Sequence, residues 1–370
     1  MSDNRNLHAA KRNKQDEFYT QLSDIENELR FYKDHFRGKT VFCNCDDPYE
    51  SNFFKYFALH FNSLGLKRLI ATGYVTSPVA GKELALFDDE ADTPKNQPYV
   101  VFVNEVTDIN GDGRTDLSDV ALLLRMKKNT RRKLHGDSQY PAGDFRSAES
   151  IALLKQADIV VTNPPFSLFR EYVSQLMEYQ KQFLIIGNVN SIVCKEIFPL
   201  IKDGKLWLGA SIHSGDRKFY VPDTYPLQAS GCGVEENGRK FIRVKGVRWY
   251  TNLDYKQRHE DLILYRRYSP LDYPTYDNYN AVNVDKTKDI PCDYDGVMGV
   301  PVTFIDKFSP GQFEIVGITD RQDTYGFRHH KYTVAEYQNA NDLNAGAVLL
   351  IHGKPKAVYA RILIKRKSAS

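Results

Sequence analysis

The run Ala157-Asp158-Ile159-Val160-Val161-Thr162-Asn163-Pro164-Pro165-Phe166 holds the residues best suited to chemistry. An amine conjugated to an aromatic ring, or held in an amide, is a poor nucleophile because its lone pair is delocalised. Acceptors aimed at its hydrogens favour the tetrahedral nitrogen that attack on a methyl group requires. Asn163 offers a side-chain oxygen. Pro164 offers a carbonyl on a backbone that two prolines hold at φ of about −65°. Pro165 stiffens the same turn, and Phe166 offers a flat face for a base taken out of its stack. An asparagine accepts without being deprotonated, so no separate general base is needed. The plainer reading of these residues is a strand, a Pro-Pro turn and a helix, Leu168–Gln180, capped by Ser167.

The motif needs a scaffold. Ala157–Thr162 is the short β-branched run of a buried parallel strand. Neither proline can extend a hydrogen-bonded ladder, so Asn163–Phe166 lies beyond the strand's carboxyl end, where open α/β sheets bind ligands. Strands are expected at Lys39–Asn44, Leu69–Thr72, Tyr99–Val103 and Phe183–Gly187. Helices are expected from Ser23 towards Phe36, with a capping-box pattern at Ser23–Glu26, and over Asn52–Leu64, Ser147–Gln156 and Ile192–Ile201. Strands alternating with helices predict a doubly wound, mostly parallel sheet. Beyond about Lys205 the pattern changes to short strands, at Lys240–Val244, Val247–Tyr250, Val300–Phe304 and Phe313–Gly317, with loops such as Tyr268–Tyr279. Arg217, Lys218, Arg239, Lys240, Arg243, Lys245, Arg248, Arg258, Arg266 and Arg267 make this half the more cationic. A solvated face or a nucleic-acid surface accounts for the charge equally well, since tyrosines and Trp249 interleave with it.

Composition narrows the class. With 370 residues, 42% of them hydrophobic, the chain can bury one large core or two ordinary ones. A formal net charge of +3 permits a polyanionic partner without requiring one. Met1–Gln15 is polar and charged, unlike a secretory signal, and no run is long and apolar enough to span a membrane. The five cysteines Cys43, Cys45, Cys194, Cys232 and Cys292 lack CxxC spacing, which fits free thiols in a reducing cytoplasm. One insert stands apart. Asp108, Asn110, Asp112, Asp116 and Asp119, with Gly113 among them, follow the ligand spacing of a calcium loop, and an Asx-rich turn is the alternative.

Longer strings then become recognisable. They are Asp16–Gln21 with Asp24–Leu29, Val41–Pro48 with Ser51–Phe57, Gly143–Ser147, Ala157–Val173, Phe183–Asn190 and Trp249–Leu253. In them the chain resembles the EcoRI-type adenine-specific DNA methyltransferases over most of its length. The resemblance implies a Rossmann-like class I fold that uses S-adenosyl-L-methionine and methylates the exocyclic amine of adenine in double-stranded DNA after base flipping. It implies a catalytic core over residues 1–255, with a variable insert at 76–142, and a β-rich DNA-recognition region over 256–370. Asn163, Pro164, Pro165 and Phe166 match the catalytic motif. Tyr19 and Thr20 match the N-terminal cofactor-binding segment, Cys45, Asp46 and Asp47 the turn after the first strand, and Asp144 and Phe145 the position that holds the cofactor's adenine. The turn Asn44–Pro48 departs from the wider pattern in having no glycine. The protein is expected to be a cytoplasmic monomer that meets the nucleoid through DNA. A cognate restriction endonuclease would act separately, or the enzyme would be solitary. RNA-base methylation, protein-glutamine methylation and a catalytically silent DNA-binding module are the competing readings.

Overall fold

Described in this computed structural model are residues 18–45, 51–73, 98–109, 119, 122, 129–221, 225, 227 and 231–367. In chain order they form β1 (Tyr19–Thr20), α1 (Leu22–Leu29), β2 (Thr40–Cys43), α2 (Asn52–Leu59), β3 (Arg68–Thr72), β4 (Tyr99–Val103) and β5 (Thr130–Lys133). Next come α3 (Ala148–Gln156), β6 (Ile159–Thr162), α4 (Phe169–Glu178), β7 (Gln182–Asn188), α5 (Phe198–Lys202), β8 (Trp207–Leu208), β9 (Asp216–Tyr220), β10 (Gly233–Val234), β11 (Lys240–Lys245) and β12 (Val247–Thr251). The remainder is β13 (Val282–Asn283), β14 (Met298–Pro301), β15 (Phe313–Ile318), α6 (Ala340–Leu343), β16 (Val348–Ile351), β17 (Lys354–Ala357) and β18 (Arg361–Arg366). The chain divides into two units, Met1–Val189 with Gly209–Asp254, and Asn190–Leu208 with Tyr255–Ser370.

The first unit is a mixed sheet. Its strands follow the order β5-β4-β3-β2-β6-β7-β12. The centre, β3-β2-β6-β7, is parallel; β4, β5 and β12 join antiparallel. The parallel strands are apolar and buried almost throughout, as strands covered on both faces must be. From β2 the chain steps outward to β3, and it later returns to β2's other side as β6. That reversal is a topological switch point at the carboxyl ends of β2 and β6, the place where open α/β sheets form their ligand crevice. Gly187 lets α4 lie close on the sheet: a Cβ there would sit 2.5 Å from the Phe169 ring. Ser51 caps α2 through the Phe53 N–H, and Ser147 caps α3 through the Ser150 N–H. A smaller antiparallel sheet, β1-β9-β11-β10, places Thr20 opposite Phe219.

The second unit is β-rich. The sheet β13-β14-β18-β15 and the separate β16–β17 ribbon surround buried Tyr276, Tyr279, Ala347 and Leu363.

Several expected elements are shorter than the sequence pattern suggests. The helix starting near Ser23 begins at Leu22, has Gln21 at its cap with no side-chain bond, and stops at Leu29. A 3₁₀ turn over Lys33–Phe36 replaces the rest. Inward-facing Glu28 is the anchor there: it accepts from the Tyr32 hydroxyl (2.8 Å) and from the Ala210 and Ser211 N–H groups (2.8 and 2.7 Å). Burial pushes its carboxyl up from the ordinary value, against those hydrogen bonds. The helix after the motif starts at Phe169 with Leu168 at its cap, and Ser167 lies in a 3₁₀ turn. The expected Ile192–Ile201 helix is a 3₁₀ turn over Val189–Val193, then α5, because Pro199 is tolerated only in a helix's first turn. The strand expected to reach Phe304 ends at Pro301, which has no N–H to donate.

Candidate active site

The Asn163 motif and the turn after β2 meet at the switch point. Thr162 ends β6, and its Oγ1 accepts from the Cys45 N–H at 3.2 Å. Asn163 is 7% exposed, and its Nδ2 donates to the Phe18 carbonyl at 2.6 Å. That bond assigns the amide's orientation: nitrogen faces Phe18, so the acceptor role falls to Oδ1. Pro164 is buried; Pro165 and Phe166 are half-buried.

Phe166 belongs to an aromatic wall. Its ring lies 5.7 Å from Phe18 and 6.3 Å from Phe219, the second pair edge-on. Phe18 also meets Phe219 at 6.0 Å and Tyr225 at 6.2 Å. These spacings are those of favourable tilted and edge-to-face pairs, which hold each ring at a set angle. β1 is thus part of the site. It carries Tyr19 and Thr20, pairs with β9 and is tied to α2 by Asn52 Nδ2, which donates to the Thr20 carbonyl at 2.7 Å.

Asp144 and Phe145 are buried beside α4. Arg146 clamps Asp144 with its backbone N–H (2.9 Å), Nε (3.0 Å) and Nη2 (2.8 Å). The carboxylate in turn holds the guanidinium firmly protonated. Phe145 packs edge-on against Tyr172 at 4.9 Å, and the Tyr172 hydroxyl donates to Asn44 Oδ1. One side chain therefore links the β2 turn to the Asp144–Phe145 turn.

Two polar atoms here lack partners among the described residues. Asn44 Nδ2 and Thr20 Oγ1 are both buried without a hydrogen bond. Buried polar atoms are rarely left so, and a polar ligand in this crevice would satisfy them. With Phe145 as an apolar wall, the set suits a ligand that has a charged amino-acid end and a flat ring.

Asp46 and Asp47 lie outside the described residues, as do Asn110, Asp112 and Asp116 of the calcium-like loop. Of its other members, Asp108 is exposed, while Asp119 is buried and accepts from the Ile109 N–H at 3.0 Å. Among the described residues no cluster of His, Cys, Asp or Glu could hold a metal ion. Sequence reasoning missed Phe18, Phe219, Tyr172 and Arg146. Phe18 had one signal, its place directly before Tyr19-Thr20; the others depend on pairing register and helix packing.

An oriented amide, a rigid Pro-Pro turn and an aromatic wall stand together at the switch point of a mixed α/β sheet, an arrangement whose acceptors and flat face suit an amino-bearing ring. Residues 6–367 match the family described as adenine-specific methyltransferase EcoRI, and the chain belongs to that family. It is 50% identical over 315 residues to the Type II methyltransferase M.EcoRI of Escherichia coli, covering 85% of this chain and 89% of that protein. It is 35% identical to the Type II methyltransferase M.MpnI of Mycoplasma pneumoniae, covering 97% of each. To the Type II methyltransferase M.MgeORF184P of Mycoplasma genitalium it is 33% identical, covering 97% and 98%. No solved structure matches the chain. Among the described residues no helix is long and apolar enough to cross a membrane.

Proposed function

We propose that the chain methylates the exocyclic amine of adenine at a specific sequence in double-stranded DNA, either within a restriction–modification system or alone. The family membership supports the reaction, and its relatives are named Type II methyltransferases. The observation that carries the residue assignment is the Asn163 Nδ2 bond to the Phe18 carbonyl, which turns Oδ1 into the acceptor. Asn163 Oδ1 and the Pro164 carbonyl accept the amine's hydrogens and favour a tetrahedral nitrogen. Pro165 stiffens that backbone, and Phe166 stacks on the flipped base against Phe18 and Phe219. Because the acceptors are in place beforehand, little reorganisation accompanies the reaction.

The fold is that of a Rossmann-like class I methyltransferase, and S-adenosyl-L-methionine supplies the electrophilic methyl group. Thr20 and Asn44, whose buried polar atoms await partners, would hold its amino-acid end with Tyr19, Cys45, Asp46 and Asp47. Asp144 and Phe145 would hold its adenine. The second unit supplies DNA recognition. The enzyme works as a cytoplasmic monomer, and any cognate nuclease acts separately. The test is expression in a methylation-deficient host followed by genome-wide mapping of modified adenines. One sequence should be methylated throughout, and the Asn163→Ala variant should leave it bare. Modification confined to RNA, or none at all, would overturn the reading.

A further inference from the structure

The β16–β17 ribbon is built unlike the rest of its unit. Its base is clamped: Asn278, fully buried, donates from Nδ2 to the Gly346 carbonyl (2.9 Å) and accepts at Oδ1 from the Val348 N–H (2.8 Å). The Val358 N–H donates to the Ala347 carbonyl at 2.9 Å. Leu349 and Val358 pack on one buried cluster, and Val348 belongs to another. Two residues further on, the packing ends. Leu350 is 54% exposed and Ile351 43%, and neighbours on a strand face opposite ways, so solvent reaches both faces of the tip. His352 and Gly353 turn the chain in two residues with φ of 50° and 73°, the tight geometry that matches strand twist.

Chemistry at the tip is one-sided. No Asp or Glu follows Asp342 in the sequence, whereas Lys354, Lys356 and Arg361 lie on or beside the ribbon. Arg361 faces Asp285 at 3.6 Å, but no ion pair holds Lys354 or Lys356 among the described residues. Register puts Lys354 opposite Ile351 and Pro355 opposite Leu350. Pro355 removes a backbone donor from β17, which hinders addition of a further strand along that edge. Exposed lysines flanking exposed aliphatics suit a polyanion that also offers apolar edges, such as thymine methyls in a groove.

We propose that the β16–β17 ribbon is the element that enters the major groove of duplex DNA, with Lys354 and Lys356 on phosphates and Ile351, on the same face, against base edges. Two strands spaced by about 4.8 Å fit a groove about 12 Å wide. The inference rests on duplex DNA being the substrate.

Binding of the full chain to 40-base-pair duplexes, including one with the methylated sequence where mapping finds it, would be measured across salt concentrations. Lys354→Ala with Lys356→Ala should weaken binding roughly tenfold and lower the salt slope by about 1.8, which is about 0.9 for each phosphate no longer neutralised. Lys354→Arg with Lys356→Arg should bind like the wild type, and cofactor affinity should be unchanged in both. Unaltered affinity and slope in the alanine pair would overturn the proposal, and so would an arginine pair as weak as the alanine pair. Methyl transfer to the same duplexes by the wild type separates the two readings. Transfer that is indifferent to the ribbon variants removes the ribbon alone. Ribbon-dependent binding without any transfer removes the enzymatic reading and leaves the ribbon.

Discussion

Both units bury apolar cores, but the most exposed large apolar side chains among the described residues belong to the second. In the first, Phe18, Phe219 and Tyr225 are almost wholly buried and hold Phe166 at fixed angles. In the second, Ile263, Tyr265, Leu271 and Tyr359 are between 60% and 95% exposed. Buried rings fix geometry, which catalysis by positioning requires. Exposed apolar groups do not fix geometry in this way, and where they lie beside cations they suit a polyanionic partner that also offers apolar edges. Substitutions in the first unit should therefore act on turnover, on capture of the flipped base or on cofactor affinity. Those in the second should act on DNA affinity and its salt dependence.

The largest effect should come from Asn163→Ala. It removes the only side-chain acceptor of the Asn163–Phe166 motif, and single-turnover methylation should fall roughly a hundredfold or more, as when one preorganised hydrogen-bonding group is removed. Calorimetry should find cofactor affinity nearly intact. Near-normal single-turnover rates would sink the comparison at its strongest point.

Phe166→Ala comes next. Stacking of a base on an aromatic ring is worth about 1–3 kcal/mol, so binding of the flipped state should weaken by roughly tenfold. A fluorescent adenine analogue at the target should brighten with wild type, less with Phe166→Ala, and nearly normally with Phe166→Trp. No brightening with wild type would contradict flipping. Asp144→Ala should raise the cofactor dissociation constant by roughly tenfold, about 1.4 kcal/mol. Part of that loss would pass through Arg146, because the carboxylate is its clamp. Unaltered cofactor affinity would remove Asp144 from the pocket.

Much of the first unit was legible because its signals are local. The strand expected over Ala157–Thr162 forms over Ile159–Thr162, and Pro164-Pro165 ends it whatever surrounds them. The strand's parallel neighbours followed from alternation with helices. What was not legible depends on distant partners: the Phe18 carbonyl is 145 residues from the amide that it orients, and Tyr172 is 128 from Asn44. Helix ends were misjudged where a buried polar interaction, such as Glu28 on the Ala210–Ser211 turn, replaced a repeating pattern. In the second unit the strands near Val300 and Phe313 were visible by composition, but the two strands of the ribbon were not. Within Leu349-Leu350-Ile351 only the partly buried first residue packs on a buried cluster, a distinction set by contacts and not by residue type.

The smallest effect should come from the Arg266–Arg267 pair, and it sharpens the comparison most. In sequence the two look like equivalent phosphate ligands. In the structure both side chains are exposed, but Arg266 Nε lies 3.6 Å from Asp289 Oδ1. Both line a cavity of about 450 Å³ together with Tyr265, Asp272, Tyr273, Asp285 and Asp289. Three carboxylates beside two guanidiniums make a poor polyanion site, and Arg266 is already engaged. Arg267→Ala should thus lower the salt slope of DNA binding by about 0.9, the value for one phosphate. Arg266→Ala should barely change it, and the double variant should match Arg267→Ala alone. A double variant whose slope falls by about 1.8, the value for two phosphates, would mean that DNA draws Arg266 away from Asp289. The recognition surface would then extend from the ribbon to this cavity. A double variant with unchanged slope would leave the pair as a solvated face.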